Sequence, residues 1–212
     1  MLELGVKALL AYLLGSVLGS LLMGRLRGVD IRQQGSGNAG GTNALRTQGW
    51  RFALGVVAVD VGKAVLAVGW LPSATLPMVG VDTTIDRDWL AIACATAVVL
   101  GHVYPVWYEF RGGKGAATLI GAVAVLSPAA LIPLIGVWLC CVMATGYVGL
   151  GTMLGTASLP LYFALARPSN PAFIVFGVAM TAFVVYTHRS NVTRMRQGCE
   201  NRARRLWLLR PR

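Results

Sequence analysis

The chain has 212 residues, of which 56% are hydrophobic and only 13% are charged. Soluble domains carry about 25% charged residues, so this composition excludes an ordinary soluble protein and favours one that is embedded in lipid. The nineteen bases and eight acids give a formal net charge of +11. In so apolar a chain, this excess indicates anionic lipid headgroups or phosphorylated substrates and argues against nucleic acid as the partner.

About seven apolar segments are predicted to span a membrane as helices, which makes the expected fold an all-α integral membrane protein. We expect the first to be a retained span and not a signal peptide, because comparable segments follow it. One long stretch is divided at Ser127 and Pro128, since proline disfavours helix at the preceding residue. In chain order the segments are Leu4 to Met23, Phe52 to Leu71, Trp89 to Leu100 with an extension towards Trp107, the two parts of Ala116 to Tyr147, Gly151 to Ala166, and Ala172 to Tyr186.

The distribution of basic residues predicts the orientation of these spans. An odd number of spans places the two termini on opposite sides of the membrane. Fifteen of the nineteen bases lie on one side if the amino terminus is outside. The positive-inside rule therefore predicts a multi-pass protein with a cytoplasmic basic tail at about 189–212.

The first predicted cytoplasmic loop, residues 35–46, reads GSGNAGGTNALR. Its glycines allow backbone N–H groups to form a concave nest for an anion, and Arg46 adds a planar charged fork for phosphate. A cap formed by Thr42 or Asn43 would add the N-terminus of a short helix. The alternative is a flexible polar linker, which does not explain Arg46 at this position. Residues 35–40 match GxGxxG, but they follow a predicted helix and not a strand, and the pattern lacks the terminal Lys-Ser/Thr of a P-loop, so a nucleotide site is not supported.

The second loop, residues 101–118, reads GHVYPVWYEFRGGKGAAT. Its GGKG presents Lys114 on a backbone that a ligand can approach closely, and a helix is expected to begin near Ala116. The alternative is a cationic anchor beside a belt of interfacial aromatic residues, which does not explain three glycines around one lysine. For His102, a structural hydrogen bond and a direct role are both open.

The third stretch, residues 187–201, reads THRSNVTRMRQGCEN and follows the last span. His188, Asn191 and Arg194 recur every three residues and so share one helical face. Glu200 is the lone acid among these bases. The alternative is a basic tail attracted to anionic lipid, which accounts for residues 202–212. The three stretches are expected on one face, as a cationic, donor-rich lining for phosphate.

Together these stretches resemble the acyl-phosphate-dependent glycerol-3-phosphate acyltransferases of bacterial membranes, the PlsY family. The resemblance covers nearly the whole chain and rests on the ordered motifs GRLRGVDIRQQGSGNAGGTNALRTQG, DVGK, GHVYPVWYEFRGGKGAAT and HRSNVTRMRQGCE. It implies a single membrane-embedded domain over 1–212, a seven-helix bundle with its active site at the cytoplasmic side. It also implies transfer of a fatty acyl group from acyl phosphate to the 1-hydroxyl of glycerol 3-phosphate, which yields lysophosphatidic acid and phosphate in the bacterial inner membrane.

The resemblance also assigns roles to residues. The implied catalytic residues are Ser36, Arg46, Lys114, His188 and Asn191. The implied substrate-binding residues are Gly35, Gly37, Asn38, Gly40, Gly41, Thr42, Asn43, His102, Gly112, Gly113, Gly115, Thr118, Arg194 and Glu200. The expected surroundings are the lipid bilayer, with no cofactor, no metal and no nucleic acid. The oligomeric state is left open, a monomer being sufficient.

Several alternatives stay open within this assignment. The family often has Arg where this chain has Thr187, and serines where it has Gly149 and Thr152. Asp60 and Lys63, three apart in an apolar helix, are either a functional pair or a structural ion pair that could orient the first loop. The proton acceptor is either His188 or a substrate phosphate.

Other functional classes are weaker. A transferase that uses histidine and aspartate separated by four residues is excluded, because neither histidine has that partner. A transporter for a phosphorylated metabolite should show inverted repeats and polar residues at mid-membrane, which the sequence lacks. A lipid-binding scaffold would not require Lys114 in a glycine-rich turn.

Overall fold

The computed structural model describes residues 1–209, and the described residues form helices with no β-sheet. The last residues of the predicted basic tail, 210–212, lie outside the described residues. The chain divides into two compact units, Met1–Leu126 and Ser127–Arg212, and each is described by itself. The all-α class predicted from the composition is confirmed.

Among residues 1–209, five helical stretches are long and apolar enough to cross a membrane, and a sixth is added if a bent pair counts as one span. The helix Ala116–Leu126 is apolar but has only 11 residues. At 1.5 Å per residue it is about 17 Å long, short of a bilayer core of about 30 Å. It accounts for the difference between the expected seven spans and six, and the count falls to five if the bent pair of Pro171–Thr187 and Arg189–Arg196 is not one span. The five stretches are Leu2–Arg27, Trp50–Gly69, Arg87–Tyr108, Pro128–Thr145 and Val148–Ala166.

In the first unit, α4 is the central helix and packs against the other five. The predicted first span lies within the candidate span Leu2–Arg27, and residues 16–18 divide its helix into α1 (Leu2–Gly15) and α2 (Gly19–Arg27). Helix α1 packs along α5 so closely that a Cβ at Gly101 would collide with the carbonyl oxygen of Tyr12. The helices of this unit are α1 Leu2–Gly15, α2 Gly19–Arg27, α3 Gly41–Gln48, α4 Trp50–Gly69, α5 Arg87–Val103 and α6 Ala116–Leu126.

In the second unit, α8 lies between α7 and α9. The predicted division at Ser127 and Pro128 is confirmed, since Pro128 opens a short 3₁₀ turn before α7. The chain bends by 51° at His188, which ends α9 and begins α10. The helices of this unit are α7 Leu131–Thr145, α8 Val148–Ala166, α9 Pro171–Thr187 and α10 Arg189–Arg196.

Candidate functional site

The first glycine-rich loop, between α2 and α3, is organised by the buried amide of Asn43. Asn43 Oδ1 accepts a hydrogen bond from the backbone N–H of Ser36 at 3.0 Å. Its Nδ2 donates to the carbonyl oxygens of Ile31 and Gln34, both at 3.0 Å. A buried amide with these three bonds holds the loop in shape. The structure therefore favours a positioning role for Asn43 over direct contact with a substrate.

The short helix α3 follows this loop and begins earlier than expected. Its first residue is Gly41 and its N-cap is Gly40. A larger residue would be crowded at position 40, because an added Cβ would lie 2.7 Å from Asn38 Nδ2. The expectation that Thr42 or Asn43 caps the helix is therefore wrong. Both residues already lie in its first turn, because the helix begins at Gly41, and the Asn43 side chain bonds to the loop.

The loop presents its remaining polar groups outward. The side chains of Ser36, Thr42 and Arg46 are exposed. Gly35 and Gly37 have φ values of +57° and +72°, which only glycine adopts without strain. The first loop thus combines a rigid inner side with an outer side of hydroxyl, guanidinium and backbone N–H groups.

The second glycine-rich loop folds back on the end of α5. The N–H of Gly112 donates to Val103 O and the N–H of Gly113 donates to His102 O, both at 3.1 Å. A Cβ at Gly113 would collide with the His102 imidazole, and one at Gly112 would collide with the His102 carbonyl oxygen. These two glycines are therefore required by a close backbone approach to His102. His102 is buried, which favours the predicted structural role over the direct one.

Lys114 follows at the point where the loop turns into α6. It is half-buried between Gly113 and Gly115, and Gly115 has a φ of +87°. Helix α6 begins at Ala116, as predicted. Thr118 is completely buried, and among the described residues its Oγ1 has no hydrogen-bond partner.

The two loops adjoin at α2. Ala39 of the first loop is buried against Leu18 and Leu21, and Tyr108 of the second loop packs on the same cluster. Ser20 Oγ donates to Ala39 O at 2.9 Å and fixes the first loop to α2. Within the first unit, the two predicted anion-binding loops therefore share one support.

A local ion pair stands at the start of the first loop. Arg32 Nη2 lies 2.7 Å from Asp30 Oδ2, and Asp30 also caps the 3₁₀ turn Ile31–Gln33. The hydrogen bonds from Arg32 hold the pKa of Asp30 below its ordinary value. The sequence motifs did not predict a role for this pair, and its contacts stabilise the start of the loop.

In the second unit, the bend between α9 and α10 fixes the tautomer of the buried His188. Its Nδ1 lies 2.8 Å from the carbonyl oxygen of Val184. A carbonyl oxygen can only accept a hydrogen bond, so Nδ1 carries the proton. In the neutral imidazole Nε2 is then the basic nitrogen, the atom that a proton acceptor needs.

Asn191, Arg194 and Glu200 form one cluster beside this bend. Glu200 Oε1 accepts from Asn191 Nδ2 at 2.9 Å, and its Oε2 accepts from Arg194 Nε at 2.6 Å. The shared face predicted for Asn191 and Arg194 is thereby confirmed. The lone acid of the basic tail is nearly buried and holds both side chains, a role that the sequence did not reveal.

The positions at which this chain departs from the family pattern have local contacts that explain them. Thr187 Oγ1 donates to Val184 O at 3.0 Å and lies 3.3 Å from His188 Nδ1. Thr152 Oγ1 donates to its own helix, at Val148 O. Gly149 packs directly on Asn191, since a Cβ there would lie 2.8 Å from Asn191 Cγ. A side chain at position 149 would therefore require Asn191 to move.

The structure also adds a cluster that the sequence only hinted at. Lys63 Nζ lies 3.2 Å from Asp60 Oδ1 and 3.0 Å from His102 Nδ1. It donates to Gly15 O at 2.8 Å and to Val17 O at 2.7 Å. In the sequence, this cluster was indicated only by two opposite charges three residues apart in an apolar helix. Their contacts are with the helix break and the second-loop histidine, whereas the first loop was one predicted partner.

Known proteins match this chain over almost its whole length. The family described as glycerol-3-phosphate acyltransferase matches residues 6–198. A glycerol-3-phosphate acyltransferase of Clostridioides difficile is 39% identical over 196 residues, which is 92% of this chain and 93% of the relative. One from Thermus thermophilus is 41% identical over 195 residues, which is 92% of each chain.

Two crystal structures of PlsY (YgiH), an integral membrane glycerol 3-phosphate acyltransferase, have the same fold. The glycerol 3-phosphate form has a TM-score of 0.80 at 32% identity and covers 94% of both chains. The lysophosphatidic acid form has a TM-score of 0.79 at 30% identity and covers 96% of this chain and 97% of that one.

Proposed function

The chain belongs to the glycerol-3-phosphate acyltransferase family and is a membrane enzyme of that class, and on this premise we propose that its acyl donor is an acyl phosphate. The oxygen of the 1-hydroxyl of glycerol 3-phosphate attacks the acyl carbonyl carbon, and the bond between that carbon and the phosphate oxygen breaks. The products are lysophosphatidic acid and inorganic phosphate. The whole chain, 1–212, acts as one acyltransferase domain and needs neither metal nor cofactor.

The observation that carries this proposal is the pair of adjoining glycine-rich loops in the first unit. Each loop is held from its buried side, by Asn43 or by His102, and offers a cationic residue, Arg46 or Lys114. Backbone N–H groups and fixed cations stabilise the negative charge that develops on the carbonyl oxygen and on the departing phosphate. Two phosphorylated substrates account for two such loops.

The proton of the attacking hydroxyl has two candidate acceptors. One is His188 Nε2, since Val184 O holds the proton of the ring on Nδ1. The other is a substrate phosphate, whose second pKa is about 6. A His188→Gln variant distinguishes them, because glutamine retains a polar side chain but cannot accept the proton as a base. A fall in kcat of about 100-fold or more would assign the role to the imidazole.

The location follows from the same assignment. The enzyme lies in the bacterial inner membrane with its amino terminus outside and its basic tail in the cytoplasm. A protease-cleavable tag at the carboxyl terminus should resist protease added to intact spheroplasts and be removed after lysis. Removal from intact spheroplasts would reverse the orientation.

The direct test measures phosphate release by the purified chain from a long-chain acyl phosphate, with and without glycerol 3-phosphate. Lys114→Ala should lower kcat by about 100- to 1,000-fold. Arg204→Ala removes one positive charge from an exposed position of the tail and serves as the matched control. Activity with acyl-CoA but not with acyl phosphate would overturn the donor while leaving the family assignment intact.

A transporter is the second candidate, since it too would bind a phosphorylated solute between glycine-interrupted helices. Liposomes that contain the chain and accumulate labelled glycerol 3-phosphate without chemical change would favour it. Production of lysophosphatidic acid would exclude transport as the main activity.

A further inference from the structure

The break in the first span leaves backbone carbonyl groups that a lysine satisfies. Residues 16–18 interrupt the helix, so Gly15 O and Val17 O lack helical partners at this point. Unpaired carbonyls are costly in a membrane protein, where water is scarce. Lys63 Nζ donates to both oxygens, at 2.8 and 2.7 Å. Asp60 Oδ1 accepts from the N–H of Gly19, the first residue of α2, at 3.1 Å.

The same two charged groups also fix the histidine under the second loop. His102 Nδ1 lies 3.0 Å from Lys63 Nζ and 3.4 Å from Asp60 Oδ1. All three side chains are at most 5% exposed. The opposite edge of the imidazole faces Gly113, where a Cβ would collide with Nε2. The ring is thus clamped between an ion pair and the backbone that carries Lys114.

The helix break and the first turn of α2 contact both loops directly. Ser16 Oγ accepts from the N–H of Val106 in the second loop at 3.3 Å. Ser20 Oγ donates to Ala39 O in the first loop at 2.9 Å. Both loops are therefore attached to the segment that Lys63 and Asp60 hold together.

We propose that Asp60, Lys63 and His102 are positioning residues for acyl transfer: they fix the broken first helix against the second glycine-rich loop and so set the position of Lys114. The inference deepens the proposed function and rests on it for its kinetic consequences. None of the three needs to touch a substrate, since their contacts are with backbone and with one another.

The chain contains a matched control for a buried lysine. Lys7 is equally buried, pairs with Glu3 at 2.8 Å and donates to Pro72 O at 2.9 Å. It differs from Lys63 in that its contacts lie away from the two glycine-rich loops. A purely structural buried ion pair should behave alike at both positions.

The first experiment compares Lys63→Met with Lys7→Met, each normalised to folded protein. We expect Lys63→Met to lower kcat by about 100-fold, with Lys63→Arg partly restoring it, because an arginine keeps the charge and the donors. Lys7→Met should lower thermal stability but keep the kcat of the wild type per folded molecule. Equal kcat values for Lys63→Met and Lys7→Met would overturn the proposal.

Hydrogen exchange supplies a readout that needs no substrate. In Lys63→Met the amides of Gly112 and Gly113 should exchange faster, because their acceptors lie at the end of α5 beside the cluster. Amides of α8 and α9 should keep the rates of the wild type. An unchanged loop would overturn the positioning role. A wild type that is inactive with acyl phosphate would instead overturn the proposed function, and the exchange result would still decide the role of the cluster.

A double-mutant cycle remains decisive if Lys63→Met does not fold. Gly113→Ala places a methyl group against the imidazole, and His102→Ala removes the ring. If the ring positions the loop, the double variant should be at least about tenfold more active than the product of the two single effects predicts, because the methyl group then fills the space that the ring has vacated. Losses that simply multiply would show that the two sites are independent and would refute the clamp.

Discussion

Replacing Gly149 by alanine tests whether packing positions Asn191. The added Cβ would lie 2.8 Å from both Asn191 Cγ and Nδ2, whereas ordinary contacts begin at 3.4 Å. Asn191 must therefore move by about 0.6 Å, which disturbs its hydrogen bond of 2.9 Å to a carboxylate oxygen of Glu200. The perturbation is a single methyl group that introduces no charge and no new polar atom.

The expected magnitude follows from two opposing effects. Overpacking typically costs about 1–3 kcal/mol, and alanine in place of glycine in a helix gains at most about 1 kcal/mol. The net change in the free energy of unfolding should therefore be a loss of about 0–3 kcal/mol. If Asn191 belongs to the active site as proposed, activity should fall by about 10- to 100-fold, because a displacement approaching 1 Å of an active-site group is costly.

Gly136→Ala is the matched control. It also adds one methyl group to a helix of the same unit, but nothing lies within 4 Å of its Cβ position. In thermal unfolding in detergent, the free energies of unfolding of the two variants should differ by about 1–3 kcal/mol. In steady-state kinetics with glycerol 3-phosphate, only Gly149→Ala should show the loss in kcat. If Gly149→Ala proved as stable and as active as Gly136→Ala, the argument that packing positions Asn191 would be refuted.

Three further predictions concern other supports of the loops and of the bend. Glu200→Gln removes the charge from the acceptor of the Asn191 amide and should lower the free energy of unfolding by about 1–3 kcal/mol together with kcat; unchanged thermal unfolding and kinetics would show that the carboxylate is dispensable. Asn43→Ala removes three hydrogen bonds from a buried amide, so we expect a loss of at least about 1–3 kcal/mol in chemical unfolding, and a transition like that of the wild type would contradict this. Because Arg32 lowers the pKa of Asp30, the carboxylate stabilises the fold above its unfolded pKa, and this contribution is lost as the pH falls through the lower pKa of the folded state. Asp30→Asn should therefore cost less than about 1 kcal/mol at neutral pH, and a gap in melting temperature that widened on acidification would disprove the assignment.

Much of the fold could be predicted because it depends on local composition. Apolar runs predicted the helices, and Ser127 with Pro128 divided the long stretch at the correct place. The start of α6 near Ala116 was also predicted, since the glycines before it favour a turn. These features depend only on the conformational preferences of neighbouring residues and on the transfer of apolar side chains into lipid.

The roles of the polar residues within the motifs were harder to predict. The sequence grouped Asn43 and Glu200 with groups that would bind a substrate, yet their side chains bond to the protein itself. A polar side chain has the same composition whether it faces a ligand or a backbone carbonyl. Only the folded chain determines which partner lies within hydrogen-bond distance, and therefore which residues support the site.

The first span shows this division most directly. By itself, the amino-acid sequence determined that residues 4–23 are apolar enough for a membrane and that three glycine-bearing or basic motifs suit phosphorylated substrates. The tertiary structure alone decided that the helix breaks at residues 16–18. The freed carbonyls are satisfied by Lys63, which is 48 and 46 positions away from Gly15 and Val17 along the chain. The break is stable only where packing supplies that donor, and no local property of the first span encodes it.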